Sequence, residues 1–251
     1  MKVYETMALS RSGHHSMKNW IIRNLVGFQI EWKFKMINAS GTGFFHLGEA
    51  NHDIPLSFNL LNYHKNEIEV LFVNYEDTTY DYTLFNEGRK YRGPFSLVMR
   101  KEYDFNHKGR IIFLRDFYNN LTSRIKSNQR EIFTKWNSGE PHLFKVDQVF
   151  IDRWKNQARA CVENKVSYLK FEDWLFKPET REKFLFENFG VRDFYGIEGI
   201  KGSQSSFEKN DESYTERYKG VEIPEETKEL IMQDSELRYL IESLGYDYKN
   251  L

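Results

Sequence analysis

The sequence predicts an α/β fold, one domain spanning residues 1–251 with a central, mostly parallel sheet flanked by helices. Short, near-continuous apolar runs alternate with segments whose apolar residues recur at helical spacing, the pattern of parallel strands covered on both faces. A chain of 251 residues is long enough to bury a substantial core without disulfide staples. The first apolar run also breaks into a glycine-containing polar turn that leads straight into a helical pattern, so a strand, a turn and a helix open the chain.

The expected strands are Val3–Leu9, Ile68–Val73, Phe95–Met99, Ile111–Leu114 and Val166–Leu169. After the first, Met17, Trp20, Ile21, Asn24 and Leu25 recur at helical spacing and give the segment one face to lay on the sheet. A helix from Val146 to Val162 places Val146, Val149, Phe150, Trp154, Ala158 and Cys161 on one side, which makes Cys161 a core residue. Pro178 suits a first helical turn and Gly190 the position just past the end of that helix. A last helix pair starts near Pro224, with Leu237, Leu240, Ile241 and Leu244 packed before Gly245. Residues 203–219 are polar and short of aliphatic side chains, which makes them either a mobile loop or one that orders over a ligand.

The 36 basic and 37 acidic residues balance, so no overall field favours nucleic acid or an anionic membrane, and anion binding must be local. The single cysteine, Cys161, precludes an intramolecular disulfide and suits a reducing compartment. No leader pattern and no run of roughly eighteen apolar residues is evident. A soluble, cytoplasmic protein without a membrane span is expected.

Chemistry concentrates first in Ser10-Arg11-Ser12-Gly13-His14-His15-Ser16. This turn lies at a helix N-terminus, where unpaired N–H groups and the helix dipole attract anions, and Gly13 lets the backbone approach one closely. Arg11, Ser12 and Ser16 add charged and hydroxyl donors. The turn is not a nucleoside-triphosphate P-loop, which needs two glycines and a lysine. It resembles the phosphosulfate-binding loop of the sulfotransferase family, Lys or Arg, Ser, Gly, Thr, Thr after the first strand, with His14-His15 replacing the two threonines. Each histidine is open to two readings, a donor to phosphate or sulfate oxygens or a packing residue between helix and sheet.

Two further segments carry the resemblance. Gly109 to Arg124 resembles the family's 3′-phosphate site, an Arg at a strand end and a Ser eight positions later, here Arg115 and Ser123, with Phe117 where proline is common. The alternative for Arg115-Asp116 is a surface ion pair capping a helix. Val166 to Leu175 resembles the family's strand ending in Tyr-Glu-Asp-Leu, with Phe171 for the tyrosine, and Gly202 to Phe207 falls where a late loop returns to the 3′-phosphate, which implicates Ser205 and Ser206. The resemblance spans residues 3 to about 207. It implies a P-loop-like nucleotide-binding architecture and a sulfotransferase that uses 3′-phosphoadenosine 5′-phosphosulfate (PAPS) as cofactor, with no metal.

Such a reaction needs donors on the leaving phosphate oxygen and a base for the acceptor proton. Arg11 and the turn N–H groups serve the first need. The family places its base after the strand that follows the first helix, where Phe44 to His52 offers Glu49, His52 and His46. Glu49 follows Gly48 as in the Gly-Glu of tyrosylprotein sulfotransferases; His52 is second because imidazole is the base in the cytosolic small-molecule branch; His46 is read as structural. Tyr75, Tyr80, Tyr82, Phe85, Tyr91 and Tyr103 either line an acceptor pocket or are plain core. The acceptor, a small-molecule, carbohydrate or lipid hydroxyl or an amine, stays open. Two other classes are a kinase-like phosphoryl transferase, which needs a Mg²⁺ site and a lysine that have no place here, and a nucleotide-binding protein without turnover.

Overall fold

The computed structural model describes residues 2–26, 42–47, 70–77, 106–129, 143–198 and 218–249. Among the described residues five strands, β1 (Lys2–Ala8), β2 (Thr42–Leu47), β3 (Val70–Glu76), β4 (Asn106–Leu114) and β5 (Ser167–Lys170), form one parallel sheet in the order β2-β3-β1-β4-β5. The helices are α1 (His14–Val26), α2 (Phe117–Gln129), α3 (Gln148–Val162), α4 (Phe171–Phe176), α5 (Pro178–Phe189), α6 (Glu225–Gln233) and α7 (Ser235–Ser243). The α/β class and the parallel sheet are as the sequence predicts.

Strand alternation divides the core. Tyr4, Ala8, Ile111, Phe113 and Leu169 pack on one face with Met17, Trp20 and Ile21 of α1, Phe171 and Trp174 of α4, and Phe184 and Leu185 of α5. Met7, Leu9, Ile112 and Leu114 turn to the other face, against Phe117 and Leu121 of α2, Phe150, Trp154 and Cys161 of α3, and Ile231, Leu237, Leu240 and Ile241 of α6 and α7. The helical faces expected for residues 17–25 and 237–244 are therefore buried, Leu25 only partly, as is Cys161, whose thiol is pushed far above its ordinary range by burial.

Several boundaries differ from expectation for identifiable reasons. β4 begins at Asn106 rather than Ile111 because the polar backbone of Asn106 and His107 pairs with Lys2 and Val3; the register then skips Lys108, so Tyr4 faces Gly109. α3 starts at Gln148, since the Asp147 carboxylate caps the Val149 N–H at 3.0 Å and ends the preceding chain, which leaves Val149 on the exposed side. Phe171–Phe176, read as a strand end, is helical. Pro178 opens α5 and Gly190 closes it at φ 73°, both as expected. The expected strand Phe95–Met99 lies outside the described residues.

Candidate functional site

The site is built at the C-terminal end of β1, the central strand, which β3 and β4 flank. Beyond Ala8 the chain folds tightly: the Ser12 N–H bonds the Leu9 carbonyl at 3.1 Å, and Arg11 takes φ 70°, a left-handed conformation that a non-glycine residue holds only under constraint. Gly13 follows at φ 80°. Its missing Cβ is used by the protein itself, since a Cβ would stand 2.3 Å from the Phe171 ring. The glycine is required by packing from below, a different reason from close approach of an anion. α1 then starts at His14, with Ser16 and Met17 N–H groups on the Gly13 carbonyl at 3.0 and 3.4 Å.

The hydrogen bonds of the turn are lopsided. The carbonyls of Leu9, Ser10, Arg11 and Gly13 all accept, from Ser12, Asn120, Arg115 and the first turn of α1 respectively. The Gly13 N–H and the half-buried Ser16 hydroxyl have no hydrogen-bond partner among the described residues. A segment with four carbonyls engaged and with the Gly13 N–H and the Ser16 hydroxyl open at a helix N-terminus is suited to an anion.

Arg115 joins this turn from the end of β4. It is 5% exposed, donates from Nη1 to the Arg11 carbonyl at 2.8 Å, and lies over the Phe171 ring with 5.0 Å from Cζ to the centroid. Its own carbonyl accepts from Trp154 Nε1 at 3.0 Å. Asp116 does cap α2, accepting the Asn119 N–H at 2.8 Å, but neither it nor Arg115 is on the surface, so the surface ion pair is excluded. Ser123 is buried on α2, and Ser12 Oγ shares a 3.1 Å hydrogen bond with His14 Nδ1. His14 is buried while His15 is half-buried, and their rings meet at 3.9 Å.

Beside Arg115 lies an acidic pair, Asp116 buried and Glu172 half-buried. The Asp116 N–H donates to both Glu172 carboxylate oxygens, at 3.2 and 3.4 Å, and Tyr246 donates its hydroxyl to the same carboxylate at 2.8 Å. Burial and then the Glu172 charge push the Asp116 carboxyl up to about 7, against the Asn119 N–H and the charges of Arg115 and Lys249. Burial also raises Glu172, opposed by Arg115 and by the Tyr246 hydroxyl.

A raised carboxyl favours the folded state most when protonated. Its stabilisation is complete below the unfolded value near pH 4 and is lost as pH rises through about 7, a change on the order of 4 kcal/mol. Asp116→Asn keeps an acceptor for the Asn119 N–H and does not ionise. Urea unfolding between pH 4 and 8 is therefore expected to show wild-type stability falling relative to Asp116→Asn as pH rises; parallel profiles would remove the buried acid from the account.

Four residues of the site carry no signal in the sequence: Asp77 after β3, Asn120 and Arg124 on α2, and Glu172, which the Tyr-Glu-Asp-Leu resemblance contains without a role. Asp77 takes the Ser10 N–H at 3.0 Å and pairs with the Arg124 guanidinium. Lys18, one helical turn beyond His14, is also buried. Glu49, His52, Ser205 and Ser206 lie outside the described residues, as does the side chain of His46. Among the described residues no three His, Cys, Asp or Glu side chains converge as a metal would require, and no helix is long and apolar enough to cross a membrane.

No family model and no curated protein matches the chain. Among solved structures, a sulfotransferase domain from the curacin biosynthetic pathway aligns over 98% of this chain and 98% of its own, at 14% identity and a TM-score of 0.47. That likeness is too distant to transfer anything said of that domain.

Proposed function

We propose that this protein is a PAPS-dependent sulfotransferase, moving a sulfuryl group to a hydroxyl or amine of a small-molecule, carbohydrate or lipid acceptor. The observation that carries the reading is the turn between β1 and α1, with its Leu9, Ser10, Arg11 and Gly13 carbonyls engaged, its Gly13 N–H open and the Arg115 guanidinium bonded to it. These residues fit the cofactor: donors at a helix N-terminus suit a 5′-phosphosulfate, and a second cation at the neighbouring strand end suits a 3′-phosphate. When bound, PAPS supplies an activated sulfuryl group on a phosphate leaving group.

In this reading Arg11, Ser12, Gly13, His14, His15 and Ser16 hold the phosphosulfate and stabilise the charge on the leaving oxygen. Arg115 and Ser123 hold the 3′-phosphate, with Ser205 and Ser206 closing over it. Glu49 takes the acceptor proton, with His52 as the other candidate. A kinase-like enzyme would present a carboxylate to Mg²⁺ beside the turn; the carboxylate bonded to the turn, Asp77, is engaged by Arg124 and the Ser10 N–H. A cytoplasmic location belongs to the same proposal, in keeping with the single buried thiol of Cys161.

The test is release of adenosine 3′,5′-bisphosphate from PAPS with a generic phenol as acceptor. Because the turn and Arg115 supply the positive charge, the rate is expected to be unchanged in EDTA. Loss in EDTA and recovery with Mg²⁺ would favour phosphoryl-transfer machinery instead.

A further inference from the structure

The residue ahead of Arg11 is held from both sides. The Ser10 N–H donates to Asp77 Oδ1 at 3.0 Å, and its carbonyl accepts from Asn120 Nδ2 at 3.3 Å. The two partners are joined through Arg124, which pairs with Asp77 Oδ1 through Nη2 and donates from Nε to Asn120 Oδ1 at 3.3 Å. The result is a closed ring, Ser10 to Asp77 to Arg124 to Asn120 and back to Ser10. Every member is buried: Ser10 at 7%, Asp77 at 8%, and Asn120 and Arg124 at 1%. Arg124 is fixed further by the Lys145 carbonyl at 3.2 Å and by the Phe150 ring at 4.7 Å.

The ring acts on the turn through peptide geometry. In a planar trans peptide the carbonyl of one residue and the N–H of the next point in opposite directions. Asn120, by drawing the Ser10 carbonyl toward α2, therefore turns the Arg11 N–H the other way; Asp77, by holding the Ser10 N–H, sets the Leu9 carbonyl that accepts from Ser12. Arg11 and Asp77 both occupy left-handed backbone, at φ 70° and 55°, conformations that persist where the surroundings over-determine them.

We propose that Asn120 and Arg124 are positioning residues for the anion turn, locking the Ser10–Arg11 peptide in the orientation that binds the 5′-phosphate, with Asp77 as the strand-side anchor. This rests on the reading of the turn as a phosphosulfate site. None of the three touches the ligand; each acts through Ser10.

The test compares wild type, Asn120→Ala and Arg124→Lys by titration calorimetry with adenosine 3′,5′-bisphosphate and with AMP, well below each variant's melting temperature. Asn120→Ala removes no charge and frees only the Ser10 carbonyl and the Arg124 Nε, so it remains informative where Arg124→Lys does not fold. Because the turn meets the 5′-phosphate common to both ligands, Asn120→Ala is expected to weaken both by about tenfold and to leave their ratio unchanged. Affinities within twofold of wild type in a folded variant would overturn the positioning role, as would weakening of the bisphosphate alone. Wild type binding neither ligand would overturn the phosphosulfate reading itself, a separate result.

Discussion

Glu49→Gln is expected to slow the chemical step by roughly a hundredfold to ten-thousandfold while nucleotide affinity stays near that of wild type. Glutamine keeps the size and polarity of the side chain but does not take a proton at neutral pH. A general base contributes in the transition state and little to ground-state binding of the donor, so the loss belongs in kcat rather than in the Kd for adenosine 3′,5′-bisphosphate. Single-turnover release of adenosine 3′,5′-bisphosphate, with a generic phenol or water as acceptor, separates the two quantities. If His52 is the base the pattern exchanges: His52→Gln carries the loss and Glu49→Gln is mild. Wild-type turnover by Glu49→Gln on every acceptor tried would pass the role to His52.

Arg115→Ala is expected to reduce the preference for adenosine 3′,5′-bisphosphate over AMP by roughly tenfold to a hundredfold, the worth of one charge-assisted contact to a 3′-phosphate. Arg115 is buried, stacked on Phe171 and bonded to the Arg11 carbonyl, so its removal also loosens the turn and weakens AMP somewhat. The ratio of the two affinities is the informative quantity. Arg11→Ala, acting on the 5′-phosphate that both ligands carry, is expected to weaken both together. An unchanged ratio in Arg115→Ala would detach this arginine from the 3′-phosphate.

What was legible in the sequence was whatever depends on local pattern. Met17, Trp20 and Ile21 announce the buried face of α1 through helical spacing, and Pro178 with Gly190 brackets α5 because each is tied to one helix end. The strand, turn and helix at Ser10–Ser16 was legible for the same reason. The polar half of β4 was not, because Asn106 and His107 break the apolar pattern, and their place in the sheet is a matter of backbone pairing with β1. Nor was Phe171–Phe176, an aromatic segment too short for periodicity to separate helix from strand. The brace on Ser10 could not be read at all: Asp77 and Asn120 lie 67 and 110 positions away, and only the sheet order brings them together. Gly13 was legible as necessary but for another reason, since its partner, the Phe171 ring, is supplied by a distant element.

The central claim, that the turn and Arg115 together form a site for a nucleotide bearing both 5′- and 3′-phosphates, is tested most directly by titration calorimetry of the wild-type protein with adenosine 3′,5′-bisphosphate, AMP and ATP, without and with Mg²⁺. The expected result is binding of the bisphosphate roughly tenfold to a hundredfold tighter than AMP, independent of Mg²⁺. Equal affinity for the bisphosphate and AMP, or a Mg²⁺-dependent preference for ATP, would contradict it.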